Sequence, residues 1–282
     1  MIAAALALTS VLVSPAWVAE QQAAKAPLVL FQIGDRADYD AGHIEGAQFL
    51  ALAEISDPDP KLHLQMASID RLRTVFEAHG VGDSSRVVVY FGTIGFTPAA
   101  RVVVALDYLG LGDRAFYLDG GLPAWKAEQR PLSTATPAVT PGKLTVRPNP
   151  AVVVDTAWVQ AHLTDRAVAI VDARTPNFYA GETAGNYPRQ GHIAGAASIP
   201  YESLSDTATK MKSESELRAL FAAAGVKPGA EVVTYCHIGQ QASALYVAAR
   251  MLGYTVHLYD GSFEEWSARP DLPVEKGAPG KQ

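Results

Sequence analysis

Short blocks of consecutive apolar residues recur along the chain. Val29-Leu30-Phe31 and Ala169-Ile170-Val171 are the clearest, and Arg86 to Tyr90 and Glu231 to Tyr235 read the same way around Val87-Val88-Val89 and Val232-Val233. Blocks of this length without polar alternation suit strands covered on both faces. Each is followed by a stretch with helical spacing. In Ala242 to Leu252, for example, Leu245, Ala248, Ala249 and Leu252 fall on one face. Buried strands alternating with amphipathic helices predict α/β domains with mostly parallel sheets.

The pattern occurs twice. Ser14-Pro15-Ala16-Trp17-Val18-Ala19 matches Asp155-Thr156-Ala157-Trp158-Val159-Gln160, and Gly42-His43-Ile44 matches Gly191-His192-Ile193. Asp119-Gly120-Gly121 through Trp125 matches Asp260-Gly261-Ser262 through Trp266. Matches in the same order mark an internal repeat. The spacing between copies varies, which places an insertion in the second half near Gly181 to Gln190. Residues 131–150 hold five prolines, at 131, 137, 141, 148 and 150. That density forbids a helix or a central strand, so the segment reads as a linker. The division is 14–130, linker 131–150, and 151–275, and 282 residues are enough for two such cores.

Composition adds limits. A formal net charge of −6 gives no reason to expect nucleic acid or an anionic membrane as partner. Residues 1–13 are apolar but too short to span a bilayer, so no transmembrane anchor is expected. Ala5-Leu6-Ala7 resembles a signal-peptidase site, although no basic residue precedes it. Two expectations follow: a signal segment with export to the periplasm, or a first strand in a cytoplasmic protein. A single cysteine, Cys236, excludes an internal disulfide and a thiolate metal cage. No metal or cofactor is expected.

Cys236 is the first residue after the Glu231 to Tyr235 block, and a helix begins near Gln241 or Ala242. The carboxyl edge of an α/β sheet is where such folds bind ligands. Gly239 lets the short loop curl and aim backbone N–H groups inward. The helix N-terminus adds more. These features favour a thiolate, so the Cys236 pKa is expected below its ordinary value.

Four motifs then carry a resemblance. Val171-Asp172-Ala173-Arg174, Gly191-His192-Ile193-Ala194-Gly195-Ala196, Cys236-x-x-Gly239-x-x-Ala242 and Tyr259-Asp260-Gly261-Ser262-Phe263-x-x-Trp266 stand in order. Over about residues 150–275 the chain resembles rhodanese domains, and the first half resembles them more weakly. The resemblance implies a tandem sulfurtransferase of the thiosulfate or 3-mercaptopyruvate kind. It would be a monomer of two rhodanese-like domains, each a mostly parallel sheet flanked by helices. Cys236 would take a sulfane sulfur from a small anionic donor as a persulfide and pass it to cyanide or a thiol. The loop His237, Ile238, Gly239, Gln240, Gln241 and Ala242 would bind the substrate, with Arg189 and Arg174 as candidate cations. The first half has Phe91 at the cysteine position, and Gln32 and Gly34 at those of Asp172 and Arg174, so it reads as inactive.

Other readings stay open. Asp172 and Arg174 could line the site or tie loops together, and Arg189 could contact a donor or lie solvated. His192 and Asp260 have counterparts in the inactive half, His43 and Asp119, which favours structural roles; Trp125 and Trp266 read as core. Thiosulfate enzymes of this family often carry Arg and Lys after the cysteine and a further arginine four residues past the one in the Val-Asp-x-Arg motif. Here those positions are His237, Ile238 and Phe178. The anion site is then expected to rely on backbone amides, His237 and Arg189, with His237 losing charge near neutrality. A cysteine phosphatase would need an arginine closing the loop, where Ala242 and Ser243 stand. A peroxide-reducing thiol enzyme would lack a resolving cysteine. A non-enzymatic binding or sensing module remains the main rival.

Overall fold

The computed structural model describes residues 10–93, 95–183, 185–206 and 209–278. In the first half, β1 (Leu12–Val13), β2 (Leu28–Ile33), β3 (Ala47–Phe49), β4 (Arg86–Phe91) and β5 (Ala115–Leu118) form one parallel sheet in the order β1-β5-β4-β2-β3. In the second, β6 (Val153–Val154), β7 (Val168–Asp172), β8 (Ala197–Ser198), β9 (Glu231–Tyr235) and β10 (Thr255–Tyr259) form another, in the order β6-β10-β9-β7-β8. The two orders are identical once the numbering is shifted by one repeat. The apolar blocks of the sequence are the central strands, β2 with β4 and β7 with β9, covered by helices on both faces.

The repeat extends to single side chains. His43 stacks on Tyr39 with ring centroids 3.9 Å apart, and His192 stacks on Tyr179 at 3.7 Å. In both, Nδ1 lies 2.8 Å from the carbonyl oxygen of the stacked tyrosine. Trp125 and Trp266 are both buried and donate to the carbonyls of Pro131 and Pro273. Features retained in the half without a cysteine serve the fold.

The halves share a core. The helix Phe96–Tyr108 packs against the helix Gln240–Met251 across the domain boundary, and one apolar cluster runs from Phe31 and Val102 to Leu245 and Ala249. The Tyr246 hydroxyl donates to Asp107 at 2.6 Å along this seam. The domains also hold each other's turns. Asp119 accepts the Met211 amide at 2.8 Å, and Asp260 accepts the Met66 amide at 2.6 Å. Asp260 thus does more than organise its own turn, because its carboxylate bridges the domains.

Residues 131–150 contain no helix. An isolated bridge pairs Ser133 with His43, and a 3₁₀ turn begins at Pro150. The segment lies along the first domain, where Glu77 accepts the amides of Gly142 and Leu144. At the chain start, Ala5-Leu6-Ala7 falls outside the described residues. Leu12–Val13 pair with Tyr117–Leu118 at the sheet edge. Among the described residues, no helix is long and apolar enough to cross a membrane.

Candidate active site

Cys236 follows β9 directly, and the helix Gln240–Met251 begins four residues on. Gly239 caps that helix with φ of +83°, a left-handed conformation that disfavours a side chain. A Cβ there would also lie 2.8 Å from Arg101 Nη1 and 3.2 Å from Asp260 Oδ1. Conformation and space both demand glycine. With Gly239 turned this way, the amides of Ile238, Gln241 and Ala242 face the sulfur and pull its pKa down. The loop residues of the sequence reading are therefore gathered around Cys236, with backbone rather than side chains facing it.

Burial and amides oppose one another at the thiol. Cys236 is fully buried, and desolvation pushes its pKa up, while the three amides pull it down. Asp172 adds a smaller upward push. Burial prevails, so the expectation of a lowered pKa is corrected. The short loop and helix end do supply the donors, but no solvent reaches the sulfur to share the charge. In this conformation the amides form a cradle of N–H donors around the sulfur.

Three cation expectations are corrected as well. Arg174 is buried, and its Nε and Nη2 are spent on both oxygens of Asp172 at 2.6 to 3.1 Å and on the Gly191 carbonyl at 2.7 Å. Its guanidinium lies over the Phe263 ring at 4.0 Å. It ties β7 to the Gly191 turn and adds positive potential near Cys236 without meeting solvent. Arg189 spreads its N–H groups over the carbonyls of Trp266, Ser267, Arg269 and Leu272 at 2.5 to 2.9 Å. It closes the C-terminal end of the helix Ser262–Ala268, where a cation is favoured. It is neither a donor contact nor a solvated side chain. His237 has its pKa pushed down to about 4, by desolvation first and by Arg174 second. It is uncharged at neutral pH and cannot serve as the loop's cation.

What surrounds His237 is aromatic. Tyr187 stacks on its ring at 5.5 Å and shares a 3.0 Å hydrogen bond with Nδ1. Phe178, standing where an arginine was expected, meets the ring edge-on at 4.5 Å. Tyr187 also lies near Cys236, and its phenol is pushed up to about 12 by burial, Glu264 and the cysteine.

Ser262 is a site residue that sequence reasoning passed over. Its φ is +51°, and its Oγ accepts the Cys236 amide at 3.2 Å while donating to the Tyr259 carbonyl at 2.9 Å. The next two amides, of Phe263 and Glu264, donate to the carbonyls of Cys236 and His237, both at 3.0 Å. The signal was present in the repeat, because the first half has Gly121 at that position, also left-handed at +55°. A Cβ on Gly121 would come within 2.7 Å of the Phe91 ring, the group that replaces the cysteine. Gln32, in place of Asp172, is buried, and its side-chain amide atoms have no partner among the described residues. The first half has thus been rebuilt around Phe91.

A lone thiol in a ring of amides, at the sheet edge of the second of two repeated α/β domains, defines a tandem-domain thiol enzyme. The chain belongs to the rhodanese family: the rhodanese-like domain matches residues 14–128 and again 155–269. A thiosulfate sulfurtransferase of Azotobacter vinelandii is 31% identical over 88% of this chain and 91% of its own length. A probable 3-mercaptopyruvate sulfurtransferase of Pseudomonas aeruginosa is 32% identical over 85% and 86%. Among solved structures, YnjE superposes with a TM-score of 0.86 at 25% identity, covering 95% of this chain and 69% of that one. EanB in complex with ergothioneine gives 0.84 at 23%, covering 95% and 70%, a likeness of fold alone. The protein is a sulfurtransferase of this family.

Proposed function

We propose that the protein takes the outer sulfur of thiosulfate onto Cys236 and delivers it to a thiophilic acceptor such as cyanide or a thiol. The observation that carries this reading is the set of three amides, from Ile238, Gln241 and Ala242, facing the only thiol. The Cys236 thiolate attacks the sulfane sulfur; an S–S bond forms, the thiosulfate S–S bond breaks, and its electron pair leaves on sulfite. The persulfide anion inherits the amide cradle, since fixed N–H donors stabilise charge where it develops. The acceptor then attacks the outer sulfur, and the electron pair of the S–S bond returns to Cys236.

A second reading has its own support. The three side chains expected to supply positive charge do not: Arg174 is committed to Asp172, Arg189 to carbonyls, and His237 is neutral. A donor with one negative charge, such as 3-mercaptopyruvate, needs less compensation than the thiosulfate dianion. Intact-mass measurement after incubation with each donor separates the two. A gain of one sulfur that cyanide removes identifies the donor, and Cys236→Ser must abolish the gain. No gain with either donor would leave a binding or sensing module as the better account.

Monomeric state and export complete the proposal. Export rests on the apolar, uncharged start of the chain. An intact N-terminus on protein recovered from a cell envelope fraction would argue against cleavage, and retention in the cytosol would end the export reading.

A further inference from the structure

Arg101 belongs to the inactive domain, on the helix Phe96–Tyr108, yet its side chain ends at the reactive loop of the other domain. It is 1% exposed. Nη2 donates to the Leu64 carbonyl at 2.5 Å and to the Asp260 carboxylate. Nη1 has no hydrogen-bond partner among the described residues although it is buried, and it lies where a side chain at position 239 would be. A buried guanidinium with an unspent N–H is costly. The Leu64 carbonyl it meets lies in the first domain, but its partner carboxylate and the glycine it faces both belong to the second.

Two routes lead from this side chain to the sulfur. Asp260 anchors the turn whose Ser262, Phe263 and Glu264 bond to the backbone of Cys236 and His237. Gly239 starts the helix whose Gln241 and Ala242 amides face the sulfur. We propose that Arg101 is a positioning residue of the Cys236 site supplied by the inactive domain, which with Asp260 fixes the loop and the turn that aim the amide cradle. The second rhodanese domain is then incomplete without the first, and the inactive half is held to the active one by a requirement of the chemistry.

This inference rests on Cys236 being the reacting thiol, and its test is independent of the donor. In the full chain, iodoacetamide modification of Cys236 is followed against pH in wild type, Arg101→Gln, Arg101→Lys and Asp260→Asn. Kinetics with thiosulfate and cyanide, and thermal melts, accompany it. The other charged or titratable groups facing Cys236 are Asp172 and Arg174 at the end of β7, the flanking Tyr235 and His237, and Tyr187. They are unchanged in every variant. A misplacement of about 1 Å can cost on the order of a hundredfold in rate. The expected result for Arg101→Gln is a kcat lower by about tenfold or more, KM changed less, and a modification midpoint at higher pH. Arg101→Lys should recover part of both, since it returns the charge without the planar fork. Asp260→Asn should move both in the same direction as Arg101→Gln. Should Arg101→Gln fail to fold, Arg101→Lys and Asp260→Asn carry the comparison. Variants that melt earlier but keep the wild-type midpoint and kcat would show a purely structural ion pair and overturn the proposal. If wild type loads sulfur from neither donor, the donor assignment fails, while the modification data still decide on Arg101.

Discussion

The hydroxyl of Ser262 accepts the backbone N–H of Cys236 across 3.2 Å, from a residue held in a left-handed conformation. Left-handed backbone costs a non-glycine residue roughly 1–2 kcal/mol, and the two hydrogen bonds of its hydroxyl, to the Cys236 amide and the Tyr259 carbonyl, return about 1 kcal/mol each. Cost and return nearly cancel, so what Ser262 contributes is placement of the cysteine. Ser262→Gly should leave thermal stability close to wild type while lowering kcat, whereas Ser262→Ala should lose both. A glycine variant that melted at the wild-type temperature with wild-type kcat would remove Ser262 from the site.

The pH dependence should carry the signature of a buried thiol. With Cys236 pushed up by burial, iodoacetamide modification should keep accelerating with pH beyond the ordinary thiol range. With His237 pushed down to about 4, no inflection is expected between pH 6 and 7. The sign for stability runs the other way. The unfolded imidazole takes up its proton near 6.5 and the folded one only near 4. The contribution of His237 is therefore complete above about 6.5 and is lost as pH falls toward 4. Melts from pH 4 to 8, with His237→Gln as the comparison, should show that slope weakened in the variant.

Thiosulfate should bind weakly, because Arg174 and Arg189 are committed to other partners and His237 is neutral. A charge-assisted hydrogen bond contributes about 1.5–3 kcal/mol, against about 1 for a neutral one. Ile238→Lys should then lower KM for thiosulfate by roughly tenfold, measured in steady state with cyanide as acceptor. An unchanged KM would favour a donor of lower charge.

Restoring a thiol to the first half should not create a second site. Phe91→Cys leaves Gly121 where Ser262 stands in the cysteine-bearing half, and a buried Gln32 where Asp172 stands. No hydroxyl would receive the new cysteine's amide. Intact mass after thiosulfate treatment should show one added sulfur per chain in this variant, and two would contradict the account.

Much of this was legible in order and spacing. Apolar blocks separated by helical stretches specified two α/β units, because a strand buried on both faces cannot afford polar alternation. The repeat of Gly-His-Ile and Asp-Gly pairs fixed the correspondence of the halves. A lone cysteine one residue past a buried strand and three before a glycine pointed to the candidate site, since that spacing is local and the backbone alone determines which way its amides turn. Comparison of the halves even held the clue to Ser262, at the position of Gly121.

What the chain could not disclose in one dimension is where long side chains end. Arg174 and Arg189 sit close in sequence to the reactive motifs, yet their guanidinium groups are consumed by Asp172 and by the carbonyls of a helix end. Arg101 sits 135 positions before Cys236 (236 − 101) and in the other domain, yet it reaches the loop. Charge states are equally tertiary. The pKa values of Cys236 and His237 are set by desolvation, a property of everything packed around them, and no motif encodes that. Sequence determined which backbone would form the cradle. Packing between the two domains decided which charges would stand beside it.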